Sequence, residues 1–423
     1  MSGRGALAGY LAADVLATAG VRVSFIAVPW FVLTTTGSAV LTGVVAFAGT
    51  VPQVVAQALA GPVVDRFGAR RVAIGAEALS VPVLAAVPAA YALDVLSIPL
   101  LCVLVALAAA LNGPADAGRG ALVPQLARHA GTSLERVAGL AGTSERTASL
   151  AGAALGGVVV AAVGAPYALV VTAVGWGAAA LLTLVATRRL VAPEPAPRQG
   201  YLTELREGAG FLRRDPVLLG IAVMVAVTNL LDQAYSAVLL PSWVVASGLG
   251  ATVLGLLGAS FSGAAIAGSL LAAAYGDRLP RFATYVVAFL LAGAPRFVVV
   301  ALDSPLAGVV ATGVVAGFAA GFINPLISAL LYERTPEPMV GRAGSMMTAS
   351  AWSLIPFGGL VAGGLVAGVG LAPALVACGA AYLVATMAPA AGPRFRAMDR
   401  VTEHLDTGAT NDATADPHPA ASR

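Results

Sequence analysis

Long apolar runs separated by short polar segments occupy most of this sequence, and they restrict its fold more than any other feature. Each run can cross a bilayer core, which takes roughly 20 mostly apolar residues per helix. With 58% hydrophobic and 11% charged residues, the chain is far from the composition of a soluble domain. We predict an all-α membrane protein with twelve transmembrane helices, the first of them retained rather than removed as a signal peptide. The runs lie near residues 9–35, 40–64, 72–93, 96–116, 141–164, 166–187, 216–241, 250–275, 282–302, 305–331, 344–369 and 371–391.

The arginines test this topology independently, because cytoplasmic loops of inner-membrane proteins carry the excess of positive residues. The chain has no lysine, so all 24 basic residues are arginines. With the N-terminus in the cytoplasm, 22 of these 24 arginines fall at the cytoplasmic side or its edge, and Arg22 and Arg296 lie within spans. The pattern predicts a multi-pass protein of the inner or plasma membrane with both termini in the cytoplasm.

A polar stretch divides the twelve runs into two sets of six. The sequence predicts an N-terminal six-helix bundle (1–187), a cytoplasmic linker with an amphipathic helix (188–215), a C-terminal six-helix bundle (216–393) and a disordered cytoplasmic tail (394–423). Asp65 and Asp277 follow the second span of their respective halves, and glycine patterns start at Gly152 in span 5 and Gly359 in span 11. We infer two six-helix pseudo-repeats, an arrangement that many transporters use.

The loop between spans 2 and 3 carries a recognisable motif. Residues 61–71 read Gly-Pro-Val-Val-Asp-Arg-Phe-Gly-Ala-Arg-Arg. This segment, called the loop motif below, resembles the pattern Gly-x3-Asp-(Arg/Lys)-x-Gly-x-(Arg/Lys)-(Arg/Lys) of the major facilitator superfamily at every required position. The resemblance implies a charged latch that joins the two bundles on the cytoplasmic side and favours the outward-open state; the alternative is that its arginines only set topology. The latch residues are Gly61, Asp65, Arg66, Gly68, Arg70, Arg71, Asp277 and Arg278.

Further segments resemble the branch of this superfamily that exports drugs, siderophores and macrolides. Residues 206–216 and the pair Gly341-Arg342 before span 11 are similar to that branch. Span 5 matches the antiporter motif Gly-x3-Gly-Pro-x2-Gly-Gly only in part, because Ala153 stands where the motif has proline. The resemblance covers all twelve spans and leaves out the tail.

Polar residues inside the spans indicate a substrate path. An Asp or Arg at mid-span costs about 2.5–3.5 kcal/mol on insertion, so such residues pair or face a wet cavity. In the fold that the resemblance implies, spans 1, 4, 7 and 10 line a central cavity. The few intramembrane charges favour neutral or weakly cationic substrates. The predicted cavity residues are Asn112, Asp116, Asn229, Gln233, Asn324, Trp30 and Trp352.

An acid in this cavity is predicted to couple transport to protons. We expect Asp232 to be the protonation site and Arg22, in the facing half, to be its partner, with Asp14 as a further candidate. The alternative is that Asp232 and Arg22 form a permanent ion pair that holds the halves together. We expect Arg296 to find a local structural partner or to reach the outer surface, and Glu77 to pair with an arginine of the loop motif.

The predicted function is proton-coupled export of a small amphipathic compound such as a drug, antibiotic or siderophore. A chain without lysine has no phosphate-binding loop, so we expect a proton gradient rather than ATP as the energy source, and neither a cofactor nor a metal. We expect a monomer in the lipid bilayer, no enzyme activity and no nucleic-acid partner. Two alternatives stay open, namely a proton-coupled importer of a small metabolite and a non-transporting membrane receptor or scaffold.

Overall fold

A computed structural model of the chain describes residues 3–190, 201–336 and 339–392. Twelve helical segments in these ranges are long and apolar enough to span a membrane, which confirms the predicted fold class. Because twelve is an even number, both described ends lie at one end of the bundle, here called the terminal face; the other end is the opposite face. Spans 1–12 are Gly3–Thr36, Ala39–Phe67, Ala69–Ala92, Ile98–Ala130, Leu134–Val163, Ala165–Ala186, Pro216–Ala246, Ala251–Tyr275, Arg281–Ala301, Leu306–Arg334, Val340–Val369 and Leu371–Ala391.

The turns at the opposite face repeat between the two halves. Each half has three turns at this face, and each turn contains one residue with positive φ. The positions of these residues in the first half correspond to those in the second half. Glycine adopts these conformations without a steric penalty, and aspartate tolerates the left-handed region. The shared backbone geometry supports two six-helix pseudo-repeats. The pairs are Gly37 (φ 65°) and Gly248 (φ 68°), Asp94 (φ 55°) and Asp303 (φ 48°), and Gly164 (φ 84°) and Gly370 (φ 87°).

The second half differs from the first because its odd-numbered spans are interrupted. Span 7 contains a π-helical turn at Tyr235–Leu239. Span 9 breaks at Gly293, and span 11 breaks between Trp352 and Ile355. Interruptions of this kind bend helices and redirect the side chains beside them. The break in span 9 matters below, because Arg296 follows it directly.

Spans 2 and 11 form a seam between the halves that is closed only near the opposite face. A Cβ atom at Gly43 would lie 2.2 Å from the carbonyl oxygen of Gly359, and the rings of Phe47 and Phe357 have centroids 5.8 Å apart. Gly61 follows Gly43 by five turns on the same face of span 2, yet nothing lies within 4 Å of a Cβ placed there. The seam therefore opens toward the terminal face.

Small residues allow the close approach of spans 5 and 8 as well. A Cβ at Gly157 would lie 2.7 Å from the carbonyl oxygen of Ala251 across the boundary between halves. Gly152 instead faces span 1, where its Cβ would lie 2.8 Å from Ala19. The glycines of span 5 thus allow close packing against two helices, span 1 in the same half and span 8 in the other half.

The linker helix, Tyr201–Arg214, docks on the start of span 11. Gly208 lies against the backbone of Arg342, where an added Cβ would come within 2.4 Å of the carbonyl oxygen, and Glu207 accepts a hydrogen bond from Arg342 at 2.5 Å. Leu212 on the same helix is buried. Residues 191–200 of the predicted linker and the predicted tail at 394–423 lie outside the described residues.

Candidate functional site

A cavity of about 290 Å³ opens among spans 1, 2, 3, 4, 6 and 7. Apolar side chains form most of its wall, with the rings of Phe25 and Trp176 among them. This combination of apolar wall and a few polar groups is typical of sites for small amphipathic molecules. The polar residues that line it are Arg22, Ser24, Thr42, Thr50, Gln53, Asn112, Thr172, Gln233 and Ser236.

The cavity contains only some of the residues predicted for it. Asn112, Gln233 and Arg22 line it, whereas Asn229 donates to the carbonyl of Ala351 at 2.9 Å and joins span 7 to span 11. The resemblance implied a cavity lined by spans 1, 4, 7 and 10, but the lining of this cavity comes mainly from the first half. The predicted residues that lie away from its lining are Asn229, Asn324, Trp30, Trp352 and Asp116.

Several lining residues were not predicted, Gln53 and Trp176 among them. Gln53 stands in span 2, one turn before Gln57, and amides in an apolar span are a signal that sequence reasoning could have used. Trp176 also lines the cavity, and its indole nitrogen donates to the carbonyl of Ala17 at 3.1 Å.

A cluster of four charged side chains lies between this cavity and the terminal face. Arg119 on span 4 forms ion pairs with Glu77 on span 3, with Asp116 at 3.1 Å and with Asp14 on span 1 at 3.5 Å. Ser144 on span 5 donates to Asp14 at 2.9 Å. These residues, Asp14, Glu77, Asp116 and Arg119, are called the acid cluster below. With every group ionised, its net charge is −2.

Close helix packing assembles the acid cluster. A Cβ at Gly118 would lie 2.8 Å from the backbone nitrogen of Ala73, so spans 3 and 4 touch where Arg119 meets Glu77, one turn beyond Ala73. Glu77 was expected to pair with an arginine of the loop motif. That expectation is wrong, because Glu77 pairs with Arg119 on span 4, which continues to Ala130.

Asp232 pairs with Arg296 and not with Arg22. The Arg296 guanidinium contacts the Asp232 carboxylate and lies 5.1–5.5 Å from the ring centroids of Tyr235, Phe297 and Tyr382. The predicted pair of Asp232 and Arg22 is therefore wrong. Span 9 breaks at Gly293, where Tyr382 packs, and the break directs Arg296 toward span 7. Of the two outcomes expected for Arg296, a local structural partner is the one observed.

The loop motif forms its described contacts within the first half. Arg70 donates to the Thr187 hydroxyl at 2.9 Å and to the Leu184 carbonyl at 3.3 Å, which ties span 3 to span 6. Gly68 has φ 85° and ψ 135°, a conformation that favours glycine at the junction of spans 2 and 3. Among the described side chains, none of the predicted latch residues bridges the halves in this conformation. The side chain of Asp277 lies outside the described residues, and bridging in an outward-open state stays a prediction.

Comparisons with known proteins agree with this architecture. Two proteins named multidrug efflux pump Tap are similar to the chain. That of Mycobacterium tuberculosis (strain ATCC 25618 / H37Rv) is 32% identical over 376 residues, 88% of this chain and 89% of the relative. That of Mycolicibacterium fortuitum is 29% identical over 404 residues, 94% and 98% of the two chains.

Two solved structures share the fold. A mutant form of the nucleoside transporter NupG superposes with a TM-score of 0.73 at 15% identity, over 93% of this chain and 99% of NupG. A bacterial homologue of the human lysosomal transporter Spinster, in an inward-facing and unoccupied conformation, gives 0.70 at 12% identity, over 94% and 97%. Residues 11–240 and 222–404 match the sequence description of the Major Facilitator Superfamily. With twelve spans in two repeated halves around a cavity, the chain belongs to the Major Facilitator Superfamily.

Proposed function

We propose that this protein is a secondary exporter that moves small amphipathic compounds, drugs among them, out of the cell in exchange for protons. Relatives named as multidrug efflux pumps match nearly its whole length, which supports the direction of transport and the substrate class. The mostly apolar cavity suits such compounds. We further propose that the terminal face is cytoplasmic, that the chain lies in the plasma membrane and that it acts as a monomer without enzyme activity or a cofactor.

The acid cluster is the observation that carries proton coupling. Three carboxylates surround one guanidinium, and the side chains of Glu77 and Arg119 are only 1% and 5% exposed. An uncompensated charge in such surroundings is costly, so the charges of the cluster are better balanced when it holds a proton. One carboxyl oxygen of Glu77, Oε2, has no hydrogen-bond partner in the described structure. Protonation of a carboxyl group in this cluster removes part of the excess negative charge.

Asp116 connects the acid cluster to the cavity. Its side chain is 57% exposed, and it follows Asn112, a cavity residue, by one turn of span 4. A proton can therefore leave or reach the cluster through the same opening that admits substrate. Release of the proton to the cytoplasm as substrate enters, followed by uptake from outside after substrate leaves, completes one exchange cycle.

The available energy is sufficient for export. One charge moved through 100 mV yields about 2.3 kcal/mol, which corresponds to roughly fiftyfold accumulation. One proton per substrate is enough to produce a useful gradient of a drug.

The test is proton movement driven by substrate in liposomes that contain the purified protein. A pH-sensitive dye in the lumen records protons while ethidium or a similar amphipathic drug is added. We expect drug-dependent proton flux in the wild type, and loss of that flux in Glu77→Gln and in Asp14→Asn. The control is Glu333→Gln, which removes an acid from an ion pair with Arg281 on the exposed surface.

Drug–drug exchange across the same membrane, which needs no net proton transfer, should persist in the Glu77 and Asp14 variants. Flux that is equal in wild type and both variants would exclude the acid cluster as the coupling site. Drug accumulation in the opposite direction would favour an importer, and a protein that moves no compound under any gradient would favour a receptor or scaffold.

A further inference from the structure

Arg22 lies near the middle of span 1, and its side chain is exposed to the cavity. It is 19 residues from Gly3 and 14 residues from Thr36, the two ends of the helix. A charge at this depth is costly unless it is paired or kept in a wet cavity. The position requires either a partner in the protein or a partner that the cavity admits.

The protein supplies no carboxylate partner for Arg22 among the described residues. Its Nε donates to the hydroxyl of Ser149 on span 5 at 3.3 Å, and its guanidinium lies 6.0 Å from the ring centroid of Phe25. The charge of Glu145, one turn before Ser149, acts on Arg22, but the two side chains form no direct ion pair. By contrast, Arg119 and Arg296 each contact a carboxylate inside the bundle.

The hydrogen bond to Ser149 holds the Arg22 guanidinium at its Nε edge. With Nε engaged, the two terminal nitrogens remain to donate a pair of hydrogen bonds, the geometry that matches a carboxylate. Ser149 therefore orients Arg22 without neutralising it. An anion that enters the cavity can therefore accept hydrogen bonds from a guanidinium that is already oriented.

The rest of the cavity favours an anion with an apolar body. The rings of Phe25 and Trp176 supply apolar surface beside Arg22. The amides of Gln53, Asn112 and Gln233 line the same space and form no side-chain hydrogen bond with another described residue, so they remain available to a ligand. An inorganic anion would make no favourable contact with the apolar side chains of the cavity wall.

We propose, building on the exporter function above, that the cavity binds amphipathic compounds that carry a carboxylate, and that Arg22 provides their counter-charge. Arg22 thereby becomes a specificity-determining residue instead of the proton-coupling partner predicted from the sequence. The proposal adds compounds with a carboxylate to the neutral or weakly cationic substrates expected from the sequence.

Three matched probes test this assignment on the purified full-length protein in lipid nanodiscs. Dansylglycine carries a carboxylate, dansylglycinamide is neutral, and dansyl-ethylenediamine carries an amine; binding is followed by dansyl fluorescence. We expect the wild type to bind dansylglycine most tightly. Arg22→Gln should weaken dansylglycine binding about tenfold, as expected for loss of a hydrogen bond to a charged group, and leave dansylglycinamide binding unchanged.

Two further variants separate recognition from folding. Arg22→Lys keeps the charge and should retain part of the preference for dansylglycine. Arg136→Gln makes the same chemical change at an exposed position near the start of span 5 and should leave all three affinities unchanged. Thermal unfolding of each variant identifies any that is misfolded.

Equal wild-type affinity for the acid and the amide, or an equal loss of both in Arg22→Gln, would overturn the proposal. Failure of the wild type to bind dansylglycine up to its solubility limit would also overturn it. Either result leaves the exporter function intact if ethidium still drives proton flux, so the two proposals can fail separately.

Discussion

Arg119 on span 4 pairs with Glu77 on span 3, and the two side chains are only 5% and 1% exposed. Such a pair is a weak source of net stability, because both charges lose their hydration. Removal of one partner is destabilising, because it leaves the other charges buried and unpaired.

We therefore predict that Arg119→Leu lowers the free energy of unfolding by about 3–5 kcal/mol. Three acids then face one another without a cation. The measurement is unfolding in mixed micelles at increasing SDS. Arg281→Leu is the matched control, because the pair of Arg281 and Glu333 is 25% and 32% exposed and a surface pair contributes about 1 kcal/mol or less. Similar losses in the two variants would show that the acid cluster does not depend on its arginine.

Asp232 and Arg296 give a second prediction, which decides whether Asp232 carries protons. Because Arg296 is held among three aromatic rings, Asp232→Asn leaves a guanidinium without its anion. We expect a loss of about 1–3 kcal/mol, reduced from the value for a fully buried pair by the 41% exposure of Asp232.

The double variant Asp232→Asn, Arg296→Gln should be more stable than the sum of the single changes predicts, with a coupling of about 1 kcal/mol or more. Drug-dependent proton flux should survive in Asp232→Asn. Abolished flux with unchanged stability would restore Asp232 as the protonation site and remove that role from the acid cluster.

The twelve-span fold could be predicted because apolar runs and arginine-bearing loops report it along the chain. The ion-pair partners of the charged residues inside the spans could not be predicted in this way. Hydropathy shows where apolar residues end, but it does not show that Arg119 in span 4 and Glu77 in span 3 face each other. Similarly, the direction of Arg296 depends on the break at Gly293 and on Tyr382, a contact between distant segments that no local pattern reports.

The cavity was predicted from the polar residues of spans 1, 4, 7 and 10, and this reasoning located Asn112, Gln233 and Arg22. It placed Asn324 there as well, because span 10 lines the central cavity in the fold that the resemblance implies. The observed lining comes mainly from the first half and, within the described residues, contains no residue of span 10. The fold-level resemblance therefore did not determine which spans line this cavity.

The seam between spans 2 and 11 leads to a third prediction. Gly43→Ala places a Cβ where the carbonyl oxygen of Gly359 lies 2.2 Å away, so the backbones must separate near the opposite face. We expect a stability loss of about 1–3 kcal/mol, typical of overpacking, and slower drug export. Gly364→Ala is the control, since nothing lies within 4 Å of its Cβ and an alanine inside a helix is favoured by about 0.5–1 kcal/mol. Export that is unaffected by Gly43→Ala would mean that tight closure of this seam is not needed for transport.

Orientation in the membrane gives the fourth prediction, which rests on the arginine distribution. Leu302 stands at the turn between spans 9 and 10 on the opposite face and is 72% exposed, whereas Arg136 is exposed near the terminal face. In a Cys102→Ser background, with the remaining Cys378 buried, Leu302→Cys should react with a membrane-impermeant maleimide added to intact cells. Arg136→Cys should react only after the cells are opened, because arginine-rich loops remain in the cytoplasm. The reverse pattern would place the terminal face outside, and the drug and proton movements proposed above would then have to run in the opposite direction.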